Sequence, residues 1–134
     1  MVVDDEAAVV TMVRRVLEQD DDFIVRSVND VDQAKVIMRL RAPDVLITDL
    51  DLPGAPQGED LLVHVGRTYP EALRVIHSGA ADLQQLVDEG IAHAAIRKPV
   101  DREALRTTIR SLVHARFGRT TQVPQAHLKF FHDA

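Results

Sequence analysis

The residues that could do chemistry stand at the ends of short apolar runs. Val45-Leu46-Ile47 leads through Thr48 to Asp49, and Val2-Val3 ends in the carboxylates Asp4-Asp5-Glu6. Val75-Ile76-His77 ends in the Ser78 hydroxyl, and the run Ala92 to Ile96 stops just before Lys98-Pro99. Carboxylates, one hydroxyl and one ammonium around a central aspartate form a coherent set for phosphoryl transfer. An aspartate accepts a phosphoryl group only if its own charge and that of the incoming group are offset. A Mg²⁺ ion does this while taking only one or two carboxylates, so Asp4, Asp5 and Asp49 are the candidate metal ligands. Lys98 can ion-pair with the phosphoryl group and Ser78 can hydrogen-bond another of its oxygens.

Such a set meets only if the chain brings those ends to one edge. The Asp49 run, bounded by Pro43 and by Pro53-Gly54, reads as a strand buried on both faces, with Asp49 at its carboxyl end. Ligands of open α/β sheets bind outside the carboxyl ends of the strands, so the aspartate is placed to meet something; a turn former is the competing reading. Met1 to Val3 is a first strand, short for a central one, and Phe23 to Val28, Leu73 to His77 and Ile91 to Ile96 complete five. Between them the spacing predicts helices. The first spans Glu6 to Glu18 with Val9, Met12, Val13, Val16 and Leu17 inward. The second ends near Arg41, with Asn29, Asp30 or Asp32 as cap. A third runs from Glu59 to Thr68, a fourth from Asp82 to Glu89 closed by Gly90, and a fifth is capped by Asp101. Leu52 to Gly58, with two Pro and two Gly, is a loop. Five strands alternating with five helices through short connections demand a parallel sheet with right-handed crossovers.

Composition narrows the function classes. The chain has 134 residues, 46% hydrophobic and 28% charged, which suits one ordinary soluble domain. A net charge of -5 argues against direct nucleic-acid binding, and the absence of cysteine excludes disulfides and thiolate metal sites. No apolar run is long enough to span a membrane and no signal peptide is visible, so the expected compartment is the cytoplasm. Residues 1–117 form the expected domain. Residues 118–134 read as a linker or docking tail, whose Phe130 and Phe131 need a surface to cover them.

With Asp4-Asp5, Asp49, Ser78 and Lys98-Pro99 in this order, the sequence resembles the receiver domain of two-component response regulators over residues 1 to 117. The resemblance implies a doubly wound, flavodoxin-like five-stranded parallel sheet of order 2-1-3-4-5. It implies Asp49 as phosphoacceptor, Asp5 as direct Mg²⁺ ligand, Asp4 as a ligand through water, and the backbone carbonyl of Asp51 as third protein ligand. Ser78 and Lys98 become the switch hydroxyl and phosphoryl-binding lysine, with a cis Lys98-Pro99 peptide. The implied partners are a sensor histidine kinase or phosphotransfer protein upstream and an effector or output domain downstream, with a homodimer left open. Such a domain is a signalling phosphoacceptor, not an enzyme that turns over substrate.

Ala95 departs from the pattern, because the family often carries an aromatic there whose rotation reports activation. The loop from Pro53 to Gly58 also looks one residue long, and Val100 stands where Phe is frequent. Switching is therefore expected in the Ser78-Gly79-Ala80 loop, the fourth helix or the tail. A rival reading is a haloacid-dehalogenase-like phosphatase with Asp49 as nucleophile, since Asp49-Leu50-Asp51 imitates its Asp-x-Asp pair. That family needs further acids after the lysine, where Asp101 and Glu103 stand. The run Asp20-Asp21-Asp22 is a solvated turn or a cation site. Arg102, Arg106 and Arg110 make a basic stripe, either solvated or a partner surface, and His77 is a packing residue or a catalytic one.

Overall fold

The computed structural model describes residues 1–54 and 57–118. Five strands and five helices alternate: β1 (Val2–Val3), α1 (Ala7–Leu17), β2 (Ser27–Val28), α2 (Val31–Leu40), β3 (Val45–Thr48), α3 (Gly58–Thr68), β4 (Leu73–Ser78), α4 (Leu83–Asp88), β5 (Ala94–Arg97) and α5 (Arg102–Phe117). The strands form one parallel sheet in the order β2-β1-β3-β4-β5. This is the expected flavodoxin-like order, and it sets the carboxyl ends of β1, β3, β4 and β5 side by side.

Alternation along each strand divides the core in two. Val3, Leu46 and Ile76 pack with Val31, Ala34 and Met38 of α2, Leu61, Leu62 and Val65 of α3, and Leu83 of α4. On the opposite face, Val2, Ile47 and Val75 pack with Val13, Val16 and Leu17 of α1 and Leu105, Ile109 and Val113 of α5. Each fully buried side chain of this size contributes about 1.5–3 kcal/mol. The helices end as their sequences direct. The Asp30 carboxylate accepts from Gln33 N–H (2.8 Å), and Asp101 accepts from Glu103 and Ala104 (3.1 and 3.2 Å). Gly90 closes α4 at φ 78°, while Asp82 enters it in the left-handed region at φ 60°, and Leu83 is the one fully buried residue of that six-residue helix.

Three strands start later than expected, β1 by Met1 alone, and β2 and β5 because their backbone groups find other partners. The predicted strand over Phe23–Val28 is reduced to Ser27–Val28. β1 offers two residues for pairing, and ahead of it the backbone of Val25 is satisfied by side chains of α1: Glu18 accepts from its N–H (3.2 Å) and Arg14 donates to its carbonyl (2.9 Å). The predicted strand over Ile91–Ile96 starts at Ala94, since the N–H groups of Ile91 and Ala92 cap α4 by donating to the Leu86 carbonyl (2.9 and 3.3 Å). β3 and β4 each run one residue further than expected, to Thr48 and Ser78. The tail from residue 119, and Ala55 and Pro56 of the loop, lie outside the described residues.

Candidate functional site

Parallel register carries the chemistry to one place. Val3 pairs with Thr48 and Thr48 with Ile76, so the next residues, Asp4, Asp49 and His77, follow side by side at the carboxyl ends of β1, β3 and β4. Ser78 pairs with Arg97, which sets Lys98 just beyond the end of β5. The Lys98–Pro99 peptide is cis. Asp4 and Asp49 are 2% and 5% exposed, and Ser78 is fully buried.

The Lys98 ammonium is the hub. It lies 2.8 Å from Asp4 Oδ2, 2.8 Å from Asp49 Oδ2 and 3.3 Å from Glu6 Oε1. The remaining carboxylate oxygens are held by backbone: Asp4 Oδ1 accepts from Glu6 N–H (2.9 Å) and Asp49 Oδ1 from Asp51 N–H (3.2 Å). Burial pushes the Asp49 carboxyl up, but Lys98, the nearby Ser78 hydroxyl and the Asp51 N–H outweigh it and hold the group below the usual carboxylate range. Burial likewise works against the charged lysine, and the hydrogen bonds to Asp4 and Asp49 more than reverse this, raising its pKa above the ordinary value. A carboxylate held ionised beside an ammonium has the chemistry of a nucleophile.

Asp4, Asp5, Glu6 and Asp49 each offer a ligand oxygen, and these atoms lie within 4.8 Å of one another. The donor set is all oxygen, open on the exposed Asp5 and Glu6 side, as Mg²⁺ requires. Glu6 is the member that sequence reasoning left out; its position next to Asp5 was the available signal. The expected part of Asp51 is its backbone carbonyl, and its side chain does not join the cluster.

Ser78 is tied into the β4–α4 loop. Its Oγ accepts from Ala80 N–H (3.2 Å), and its carbonyl accepts from Lys98 N–H (3.0 Å). On the other side of Asp49, α3 is packed so closely that a Cβ on Gly58 would overlap the Asp49 carbonyl oxygen and lie 2.7 Å from Leu50 Cα. The Gly58 N–H donates to Leu50 O (3.2 Å), so the helix start and the segment after β3 share backbone.

The remaining sequence candidates are placed as follows. His77 is 3% exposed and its Nε2 has no hydrogen-bond partner among the described residues; burial first, and then Lys98, hold its pKa below the usual range. His93 accepts from Arg74 N–H at Nδ1 (2.9 Å), a packing role. Asp20 is more than a solvated turn residue: its carboxylate pairs with Arg106 (3.2 Å) and Arg110 (2.7 Å), so two of the three stripe arginines tie the α1–β2 turn to α5. Asp101 and Glu103 belong to the start of α5, Asp101 as its cap and Glu103 paired with Arg106, and neither joins the carboxylate cluster. The acids that gather with Asp49 are those of β1's end, which disfavours the phosphatase alternative.

Comparison with known proteins agrees with this geometry. The family model for the response regulator receiver domain matches residues 1–110, and the chain belongs to that family. Its members are signalling phosphoacceptors of two-component systems, typically with Mg²⁺ at an acidic pocket. A curated relative, the hydrogenase transcriptional regulatory protein HoxA of Cupriavidus necator, is 31% identical over 118 residues, 86% of this chain and 24% of its own length. The chain thus spans about a quarter of that relative. Among solved structures, the receiver domain of NtrX from Brucella abortus superposes with a TM-score of 0.75 at 27% identity, covering 84% of this chain and 96% of that one. Longer NtrX from the same organism gives 0.79 at 25% identity, covering 90% of this chain and 28% of that one. A CheY-like receiver domain protein from Methanospirillum hungatei JF-1, at 21% identity, shares the fold with a TM-score of 0.78 over 88% and 94% of the two chains.

Proposed function

We propose that this chain takes a phosphoryl group onto Asp49 from a phosphohistidine on a sensor histidine kinase or phosphotransfer protein, and that the modified domain then switches a protein-interaction surface. The observation that carries the reading is the Lys98 ammonium placed 2.8 Å from an Asp49 carboxylate that is 5% exposed at the open edge of the sheet. An Asp49 oxygen forms the new bond to phosphorus while the phosphorus–nitrogen bond of the donor breaks, and the proton needed at the leaving imidazole comes from solvent. Lys98 stays paired with the incoming anion, and the Ser78 hydroxyl donates to one of its oxygens. Asp5, Asp49 and the Asp51 carbonyl would hold Mg²⁺ directly and Asp4 through water; when bound, the ion offsets the charge of the transferring group.

Residues 1–117 are proposed as the receiver and 118–134 as a linker or docking tail. An effector or output domain downstream is supported by the greater length of HoxA and NtrX. A homodimer is a further proposed assembly, and direct nucleic-acid contact by this domain is not part of the reading. Among the described residues no helix is long and apolar enough to cross a membrane. A cytoplasmic location is part of the same proposal. Incubation with Mg²⁺ and a small-molecule phosphodonor tests it: the wild-type chain should gain one phosphoryl group, Asp49→Asn none, and labelling of Asp49→Asn at the wild-type rate would refute the assignment.

A further inference from the structure

Ala95 and Arg97 lie on the same face of β5, one pointing past Ile76 and the other at the end of the sheet beside Ser78. The methyl group of Ala95, packed against the core, has no torsion by which to report a change. Arg97 does reach the β4–α4 loop. Its Nη1 donates to the carbonyl of Ala80 (2.7 Å) and approaches that of Gly79 (3.5 Å). Ala80 is therefore gripped at both ends, its N–H by the Ser78 hydroxyl oxygen (3.2 Å) and its carbonyl by the guanidinium. Beyond these bonds the loop is anchored by the half-buried Ala80 side chain against the core: Gly79, Ala81 and Asp82 are exposed, and the first fully buried side chain after Ser78 is Leu83.

We infer that Arg97 is a latch that holds the β4–α4 loop in its resting position and is released when the Asp49 site is filled. The inference rests on the phosphoacceptor reading above. A group on Asp49 draws the Ser78 hydroxyl toward its oxygens, and Ala80 travels with Ser78 because only Gly79 separates them. The Ala80 carbonyl then leaves a guanidinium whose own backbone is fixed in β5. The contact exists in one state and not in the other, which is the condition for biasing the equilibrium between them. Release also frees an exposed positive charge at the edge formed by α4 and β5, so the same event that moves the loop changes the charge presented to a partner. Arg97 is thus a positioning residue, acting through the loop and touching none of the reacting atoms.

The test uses the 134-residue chain with Mg²⁺ and beryllofluoride, a phosphoryl mimic, comparing wild type with Arg97→Ala and with Arg102→Ala as a control for charge alone. Loss of a charge-assisted hydrogen bond present only in the resting state should tighten beryllofluoride binding by about three- to tenfold. The Gly79, Ala80 and α4 amide resonances of unliganded Arg97→Ala should shift toward the positions the wild type shows when occupied. The wild-type Arg97 Nε resonance should shift on occupancy, and Arg102→Ala should do none of this. Equal affinities for wild type and Arg97→Ala, with the loop resonances unmoved, overturn the latch while leaving Asp49 as acceptor. A wild-type chain that fails to bind beryllofluoride, or an Asp49→Asn chain that binds it equally well, overturns the phosphoacceptor reading and the latch with it.

Discussion

The Lys98 ammonium is shared between the carboxylates of Asp4 and Asp49 at equal distances of 2.8 Å, joining residues from the first and third strands of the sheet through the end of the fifth. Its side chain is 15% exposed and theirs are 2% and 6%, so the three groups are largely withdrawn from water. Lys98→Ala should cost about 3 kcal/mol of stability at neutral pH without metal, because it leaves buried carboxylates facing each other. It should abolish or severely slow phosphorylation while Mg²⁺ affinity is retained. Denaturant titration and metal titration followed by NMR check both arms; a collapse of Mg²⁺ affinity would contradict the division of labour between the ammonium and the metal ligands. Asp49 supplies the pH signature. Its folded pKa is lowered, so its ionised form contributes stability above the unfolded value and loses it as pH falls through the folded one. Wild-type stability should therefore decline on acidification from about pH 5, and Lys98→Ala should show a shallower decline.

Gly58→Ala should destabilise the domain by about 1–3 kcal/mol, since the new methyl group meets backbone of the acceptor strand, which cannot turn aside as a side chain can. Phosphorylation should slow as well, because the first turn of α3 must back away from Asp49. Thermal denaturation and single-turnover labelling measure the two effects, and wild-type values in both would contradict the close packing described.

Asp20→Asn should cost about 1 kcal/mol at pH 7, the value of a partly buried ion pair, by loosening the α1–β2 turn from α5. Burial raises the Asp20 carboxyl, but hydrogen bonds from Arg110 and Arg106 lower it further, so the net shift is downward. The contribution is therefore complete above the unfolded carboxyl pKa and disappears in acid. Stability of wild type and variant should converge as pH falls below about 4.

His77→Leu should be neutral or mildly stabilising and should flatten the stability profile between about pH 5 and 7. The folded protein holds this imidazole below its ordinary pKa, so the unfolded chain binds more protons in that window and native stability falls as pH drops through it. The apolar replacement removes that penalty and also the buried Nε2, which has no partner among the described residues. Phosphorylation at its usual rate in His77→Leu would exclude His77 from the chemistry; a large loss would restore its catalytic reading.

Legibility followed the range of the interaction. Asp4, Asp5, Asp49, Ser78 and Lys98 were legible because each terminates an apolar run, and parallel strands bring such ends to one edge whatever the loops do. The cap Asp101 and the closing Gly90 were legible for a related reason, being decided within a few residues, while the cap of α2 was narrowed only to Asn29, Asp30 or Asp32, of which Asp30 serves. What escaped was decided at a distance. The apolar run Phe23 to Val25 looks like strand, yet Arg14 and Glu18 take the backbone of Val25. Asp20 looks solvated until α5, more than eighty residues on, delivers Arg106 and Arg110 (the Arg106 contact spans 86 residues). Nothing local in the sequence marks Arg97, and only the register of β4 against β5 puts its guanidinium over Ala80.

The single buried anchor of α4 has a consequence for how the domain breathes. A helix of six residues entered through a left-handed aspartate, with Leu83 buried and Leu86 and Val87 only partly so, has few of the contacts that would make it unfold only with the whole. In an amide-exchange experiment it should form its own small cooperative unit, opening while β3 and β4 stay closed. The exchange energy of that unit, expected well below the global unfolding free energy, sets the scale for reshaping this corner of the molecule, so the proposed phosphoryl group need not loosen the core to redraw it.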